Sequence, residues 1–110
     1  MLKKEVLRGD RNFDRVYKKG KSAGDRYVVV FYKKNNLPYN RTGFLASKKV
    51  GNAVARNRAR RLMKESVRTM KPISKTGFDI IFIARNTINN RKCADVKKSI
   101  EAAIKRTDLK

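Results

Sequence analysis

The sequence predicts an α+β fold in which helices pack on a sheet of three or four strands, with the elements in the order αββαβα. Two segments have the apolar spacing of amphipathic helices, and a third is an uninterrupted helix-forming run. Three short segments are rich in β-branched and aromatic residues, which favour strands. A chain of 110 residues has the length of one compact domain, so we expect a single domain over residues 1–110.

The first predicted element is a short amphipathic helix. Asp10 is a residue type that caps helix N-termini, and Phe13, Val16 and Tyr17 then fall at i, i+3 and i+4 on one face. Gly20 is typical of a left-handed helix end. We therefore expect a helix of about two to three turns.

Two strand-like segments follow this helix. Tyr27–Lys34 reads YVVVFYKK and Thr42–Ser47 reads TGFLAS, and the residues between them include Asn35, Asn36 and Pro38. Asparagine and proline favour turns. The pattern predicts an antiparallel hairpin with a long connection.

The longest predicted helix extends from about Ala53 to Met70. Gly51 and Asn52 interrupt the chain before this run, and Pro72 stops it because proline cannot continue a helix. No Gly or Pro occurs inside the run. This segment also carries the densest positive charge of the chain.

A third strand and a last helix complete the predicted fold. The strand is Phe78–Arg85, and its alternation gives one face of Phe78, Ile80, Phe82 and Ala84 and another of Asp79, Ile81, Ile83 and Arg85. Apolar residues on both faces indicate a central strand. The last helix is predicted at about Cys93–Lys105, with an apolar stripe of Val96, Ile100, Ala103 and Ile104.

Composition excludes several functional classes. Thirty Lys and Arg against nine Asp and Glu give a net charge of +21, which indicates a polyanionic partner, with nucleic acid first. With no His and one Cys, Cys93, the chain lacks zinc-site spacings, a disulfide framework and a Cys/His or Ser/His/Asp catalytic set. Its carboxylates are scattered, so we expect no catalytic residue and no bound metal. No membrane span or signal peptide is apparent, so we expect a cytoplasmic protein without a membrane partner.

The positive charge is concentrated between Lys48 and Arg68, where eight of 21 residues are basic and only Glu65 is acidic. On a helical wheel, one face collects Arg56, Asn57, Arg60, Arg61, Lys64 and Arg68. The opposite face collects Ala55, Ala59, Leu62, Met63, Ser66 and Met70. Like charges four residues apart cost a few tenths of a kcal/mol per pair, so a merely solvated face is the less favoured interpretation. The planar donor fork of arginine suits phosphate oxygens.

Five aromatic side chains could stack on unpaired bases, at about 1 to 3 kcal/mol for each base. They are Phe13, Tyr17, Tyr27, Phe31 and Tyr32. Aromatic residues at helical or strand spacing belong more often to the core, so the sequence leaves both interpretations open for each of them.

The run from Ser47 to Leu62 (SKKVGNAVARNRARRL) resembles the signature of the bacterial ribonuclease P protein subunits, above all in Arg56-Asn57-Arg58. The likeness extends over most of the chain. The first helix with Phe13 and Tyr17, the strand with Phe31 and the late IIFIAR strand resemble the family in order and spacing.

The resemblance implies a two-layer α/β sandwich with a left-handed βαβ crossover, against the usual right-handed rule. It also implies a subunit of the endoribonuclease that removes the 5′ leader of precursor tRNA. The implied partners are the catalytic ribonuclease P RNA, with one protein per RNA, and the precursor tRNA. Cleavage then resides in the RNA and its Mg²⁺, and the protein alone binds no cofactor.

By the same resemblance, Arg56, Asn57, Arg58, Arg60, Arg61 and Lys64 belong to the helix that meets the catalytic RNA near the leader. Lys48 and Lys49 lie at the entrance to this helix, and Arg68 shares its cationic face. Phe13, Tyr17 and Phe31 match aromatic positions that line the cleft for the leader. A small basic ribosomal protein is the main alternative, and a non-specific DNA-compacting protein is the third.

Overall fold

A computed structural model describes residues 5–109 and confirms the α+β class. The elements are α1 (Asp10–Lys19), β1 (Lys21–Gly24), β2 (Val28–Lys34), β3 (Arg41–Leu45), α2 (Ala53–Thr69), β4 (Phe78–Ala84) and α3 (Cys93–Lys105). A single 3-10 turn, Asn86–Ile88, separates β4 from α3. The sequence analysis missed β1, because this short and mostly exposed edge strand has no β-branched or large apolar residue.

The four strands lie in the order β1-β2-β4-β3. β2 is antiparallel to both β1 and β4, whereas β3 is parallel to β4. The predicted hairpin is therefore wrong, because β4 lies between the two strands that it would have joined. A strand that is apolar on both faces gains most from the central position, where both faces are covered. β3, α2 and β4 form a βαβ unit with adjacent parallel strands, as the implied crossover requires.

One face of the sheet packs against α2 and α3 and forms the larger core. The predicted face of β4 is buried here, from Phe78 to Ala84 at alternate positions. The other core residues in the centre of this layer are Val28, Val30, Ala59, Met63, Val96 and Ile100. The apolar face predicted for α2 and the stripe predicted for α3 are thus confirmed at their central positions.

The other face of the sheet carries a smaller cluster under α1. Val16 of α1 is fully buried with Ile81 of β4 and Leu7 of the segment before α1. α1 has only 10 residues, so it covers part of this face. The side chains packed around the cluster remain half-buried: Phe13, Tyr17, Phe31, Leu45 and Ile83.

The ends of α1 differ from the prediction. Its N-cap is Gly9, with no side-chain cap, and Asp10 is the first helical residue. Gly20 is extended rather than left-handed, with φ −88° and ψ 179°. Space is the reason for glycine there, because a Cβ would lie 2.5 Å from the carbonyl oxygen of Val16 and 2.6 Å from that of Tyr32. The chain therefore turns from α1 into β1 with its backbone pressed against β2.

A buried carboxylate joins α1, β3 and β4. Asp79 of β4 is 1% exposed and accepts two hydrogen bonds from Arg41, both of 2.8 Å. Arg15 of α1 donates a third at 3.0 Å, and the Asn35 amide donates a fourth at 2.9 Å. Burial alone would raise the pKa of Asp79, but the hydrogen bonds from Arg41 and Asn35 and the nearby charges outweigh it and lower the pKa. This network fixes α1 and the edge strand β3 on the central strand.

Candidate nucleic-acid interface

The cationic face of α2 points away from the core because the opposite face is buried. Ala59, Met63 and Ser66 of α2 pack inward. The helix begins at Asn52, whose side chain accepts a hydrogen bond of 3.0 Å from the backbone N–H of Ala55. This cap starts α2 directly after the turn that carries the exposed Lys48 and Lys49.

The first turns of α2 hold their arginines in place through local hydrogen bonds. Arg58 donates to the carbonyl oxygen of Arg91 at 2.8 Å, and Arg60 donates to the side-chain oxygen of Asn57. Arg56 donates to the carbonyl oxygen of Gly51 at 3.4 Å. The guanidinium groups keep further donors in each case, so these contacts orient the arginines without using up their capacity to bind phosphate.

The remaining cations of this face differ in how far they are compensated. Arg61 and Lys64 are exposed and form no side-chain hydrogen bond or ion pair with any residue from 5 to 109. Arg68 instead binds Glu65 through two hydrogen bonds, one of them 3.0 Å long. The hydrogen bond from Arg68 lowers the pKa of the Glu65 carboxyl. RNA would thus compete with Glu65 for Arg68 but meet no competitor at Arg61 or Lys64.

An apolar groove of about 620 Å³ adjoins the cationic face. The segment before α1, strand β3 and the second half of α2 form its walls. We call it the leader groove, because the resemblance implies that Phe13 lines a cleft for the leader; its lining includes Glu5, Leu7, Phe13, Gly43, Phe44, Val67, Lys64 and Arg68. The groove therefore joins Phe13 of the predicted aromatic set to two cations of the predicted basic set.

Gly43 lets Phe13 enter this groove. A Cβ at position 43 would lie 2.8 Å from Cζ of the Phe13 ring. The backbone of β3 is held from the other side by the segment before α1, where the N–H of Leu7 donates to the carbonyl oxygen of Thr42 at 2.9 Å. The missing side chain thus leaves room for the ring over the strand.

The structure separates the five aromatic candidates into two groups. Tyr17 and Phe31 are half-buried, lie in the same cluster as Phe13 and meet edge to face with ring centroids 5.2 Å apart. Burial, and to a lesser extent the charge of Asp14, raises the pKa of Tyr17. Tyr27 and Tyr32 are buried on the opposite face of the sheet, so they are core residues.

The sequence and the structure of this chain were compared with those of known proteins. The sequence model described as Ribonuclease P matches residues 1–108. This chain belongs to the ribonuclease P protein family. It is 45% identical over 104 residues to the ribonuclease P protein component of Clostridioides difficile (strain 630), covering 94% of this chain and 91% of that relative. With the component of Thermoanaerobacter sp. (strain X514), it shares 46% identity over 97 residues, or 88% and 84% of the two chains.

Solved structures agree with the sequence relatives. The RNase P protein of Staphylococcus aureus is similar with a TM-score of 0.84 and 32% identity, over 96% of both chains. The RNase P protein from Thermotoga maritima is similar with a TM-score of 0.83 and 32% identity, over 94% of this chain and 98% of that one. A ribonuclease P protein is a subunit of the tRNA-processing endoribonuclease holoenzyme, so the ribosomal and DNA-compacting alternatives fall away.

A polar loop that the sequence analysis did not single out lies beside the basic start of α2 in this ribonuclease P protein. Asn89 donates to the carbonyl oxygen of Val50 at 2.7 Å, and Arg58 contacts the backbone of Arg91. The Arg91 guanidinium lies 5.1 Å from the ring centroid of Tyr27. These contacts place the loop after β4 beside the start of α2. Its sequence, INNRKC, resembles any exposed polar turn, so only the fold reveals this position.

Four of the nine carboxylates of this ribonuclease P protein, those of Asp25, Glu65, Asp79 and Asp108, form ion pairs with Lys or Arg. Asp25 pairs with Arg106 and Asp108 pairs with Lys21, each at 3.2 Å. Within residues 5–109, no three Asp, Glu, Cys or His side chains lie together as a protein-held metal would need.

Cys93 is half-buried at the start of α3, with its sulfur 3.5 Å from the Ser66 hydroxyl oxygen. None of the helices in the described part of the chain is long and apolar enough to cross a membrane.

Proposed function

We propose that this ribonuclease P protein binds the catalytic RNA through the first turns of α2 and holds the 5′ leader of precursor tRNA in the leader groove. The observation that carries the proposal is the groove itself, whose lining combines the aromatic Phe13 with the cations Lys64 and Arg68. Single-stranded RNA needs both kinds of contact, since its bases stack on aromatic faces and its phosphates bind cations.

The contact with the catalytic RNA uses the start of α2 and the turn before it. Lys48, Lys49, Arg56, Arg58 and Arg61 form this basic end, and Arg91 lies beside it. Arginines that are already oriented by local hydrogen bonds lose less conformational entropy when they bind phosphate. Asn57, which holds Arg60, adds a polar contact of its own.

The leader contact uses the aromatic side of the groove. Phe13 lines it directly, and Tyr17 and Phe31 continue the same half-buried aromatic surface. Each stacked base contributes about 1 to 3 kcal/mol with little sequence preference. The leader would therefore be bound by its single-stranded character more than by its sequence.

The protein supports cleavage without performing it. Its charge screens the repulsion between two RNAs, and the chemistry belongs to the catalytic RNA with its Mg²⁺. We further propose one protein per catalytic RNA and a cytoplasmic location, where precursor tRNA is processed.

The experiment that tests the proposal is leader cleavage by a bacterial ribonuclease P RNA at low Mg²⁺, with and without the protein. We expect stimulation that requires the RNA, and no cleavage by protein alone. Tight RNA binding without stimulation would contradict the proposal. Cleavage by protein alone would contradict the division of roles.

A charge-matched pair of variants locates the contact. The double variant Lys64→Ala, Arg68→Ala removes the two cations that line the leader groove, and Lys98→Ala, Lys105→Ala removes two exposed charges from α3. We expect the α2 variant to weaken precursor tRNA binding more than mature tRNA binding. Its salt dependence should fall by about 0.7 to 0.9 log units per log salt for each lost phosphate contact. Equal losses for both tRNAs would argue against leader contact.

A further inference from the structure

A second basic depression lies at the opposite end of the sheet from the start of α2. It has a volume of about 770 Å³ and lies over the Tyr32 and Phe78 rings. We call it the lysine cleft; its lysines are Lys19, Lys21, Lys33, Lys34 and Lys75. The loop after β4 adjoins the start of α2, whereas the cleft adjoins the first residue of β4, where Lys34 pairs with Phe78.

The charge of the lysine cleft is largely uncompensated. Asp108 is the one carboxylate among its lining residues, and Lys21 binds it at 3.2 Å. The other four lysines form no side-chain hydrogen bond or ion pair with any part of the chain that the structure describes. Such clustered like charges raise the local positive potential and favour a bound polyanion.

The chemistry of the cleft suits a phosphate backbone rather than bases. Lysine is a compact point charge without the planar fork that reads a base edge or binds bidentately. The two rings beneath it, Tyr32 and Phe78, are 6% and 7% exposed and pack edge to face, so they offer no free stacking face. The cleft can thus hold RNA through phosphates, without sequence preference.

A smaller depression of about 220 Å³ lies between the leader groove and the lysine cleft. It shares Glu5, Thr42, Val67 and Arg68 with the leader groove and extends to Asn40. The Asn40 side chain donates to the carbonyl oxygen of Lys75 at 2.8 Å and accepts from the N–H of Phe78 at 2.9 Å. Lys75 and Phe78 both line the cleft, so Asn40 links the smaller depression to the cleft.

We infer that the lysine cleft binds the phosphates of leader nucleotides upstream of those held in the leader groove. The inference rests on the proposed function, in which the basic end of α2 lies near the catalytic RNA and the leader leaves along the groove. A leader running away from that end passes Lys64 and Arg68, then Asn40, and reaches the cleft.

Leader length decides whether the cleft is reached. The molecule is 37 Å long, which corresponds to roughly 11 nucleotides at about 3.4 Å per stacked nucleotide. A leader of roughly four nucleotides spans about 14 Å at that rise, less than half the length of the molecule, whereas one of roughly 15 exceeds that length.

The test compares two charge-matched double variants on precursor tRNAs with these short and long leaders. Lys34→Gln, Lys75→Gln alters two exposed lysines of the cleft, and Lys98→Gln, Lys105→Gln alters two exposed lysines of α3. Affinity for each precursor is measured with the protein assembled on a ribonuclease P RNA, at several salt concentrations. Thermal unfolding of both variants checks that each is folded.

We expect the cleft variant to bind the long-leader precursor about tenfold more weakly, with a salt slope lower by about 1.4 for two single-strand phosphates. The α3 variant should match the unaltered protein. The same loss with short leaders, or weaker assembly with the catalytic RNA, would show that the cleft binds that RNA and overturn the inference. No loss with either leader would also overturn it. Failure of the unaltered protein to stimulate cleavage would instead refute the proposed function.

Discussion

The buried network around Asp79 gives the sharpest stability prediction. Asp79→Asn keeps the size of the side chain and one acceptor oxygen but removes the negative charge. It leaves the guanidinium groups of Arg41 and Arg15 facing a neutral amide. In the unaltered protein the Asn35 amide donates to a carboxylate oxygen of Asp79 at 2.9 Å. In the variant, the NH₂ group of the introduced amide would face this donor, so two donors would meet without an acceptor.

The size of the effect follows from the exposure of the partners. Breaking a fully buried ion pair by removing one partner costs about 3 to 5 kcal/mol. Here the side chain of Arg41 is 20% exposed and that of Arg15 is 42% exposed, so water can partly solvate both. We therefore expect Asp79→Asn to lower the free energy of unfolding by about 2 to 3 kcal/mol. This loss corresponds to a fall of roughly 10 °C in Tm.

The effect should depend on pH in a defined direction. The pKa of Asp79 in the folded protein lies below its value in the unfolded chain, which is about 3.9. The unfolded state therefore binds the proton more readily in acid, and the stabilisation is complete only above that value. The difference between the unaltered protein and Asp79→Asn should be constant at neutral pH and shrink as the pH falls through the folded pKa.

Denaturant unfolding followed by circular dichroism, repeated from neutral to acid pH, measures both quantities. Asp25→Asn is the matched control, because Asp25 is ion-paired with Arg106 but lies nearer the surface. We expect this control to cost no more than about 1 kcal/mol. If Asp79→Asn cost no more than the control, or if its effect did not shrink in acid, the reasoning about the buried network would be wrong.

Three further substitutions test other parts of the structure. Gly20→Ala places a Cβ against two backbone oxygens and should cost about 3 kcal/mol of unfolding free energy, measured by denaturant titration. Gly43→Ala places a Cβ against the far end of the Phe13 side chain rather than against backbone, so it should cost about 1 kcal/mol in stability. Because it displaces the ring, it should also reduce precursor tRNA affinity, and unchanged affinity would argue against Phe13 as a leader contact. Asn52→Ala should cost about 1 kcal/mol by removing the cap of α2, whereas Asn52→Asp should retain most of the stability in the same assay.

The sequence predicted those elements whose residue pattern depends on the segment itself and not on contacts distant in sequence. α3 was predicted with the correct bounds because its apolar residues repeat at helical spacing. The strand from Phe78 was predicted to within one residue because it is a continuous run of mostly apolar, strand-favouring residues. The conformation of Gly20 was predicted wrongly. Glycine is required there because a Cβ would clash with a backbone carbonyl of β2, and β2 is distant in sequence. The hairpin was misread because adjacency in sequence favours pairing, whereas burial of both faces of β4 decides the strand order.

The candidate site was predictable in composition but not in arrangement. Charge spacing alone separated the cationic face of α2 from its buried face. The aromatic residues were harder to assign. Phe31 and Tyr32 are neighbours on one strand and therefore lie on opposite faces, but only packing shows which of the two faces forms the larger core. The lining residues Leu7 and Gly43 carried no sequence signal, because an apolar residue before a helix and a glycine in a strand have many other causes.

The misplaced strand is also the feature that explains the groove. In a β2–β3 hairpin, β4 would not separate the two strands, and α2 would not connect β3 to a parallel neighbour. With β4 in the centre, β3 becomes the edge strand, and α2 must pass over the sheet to return from β3 to β4. That passage brings Lys64 and Arg68 alongside β3, where Val6 and Leu7 of the segment before α1 pair with Thr42. The burial of both faces that fixes β4 at the centre of the sheet therefore places the cations of α2 in the lining of the same groove as Phe13.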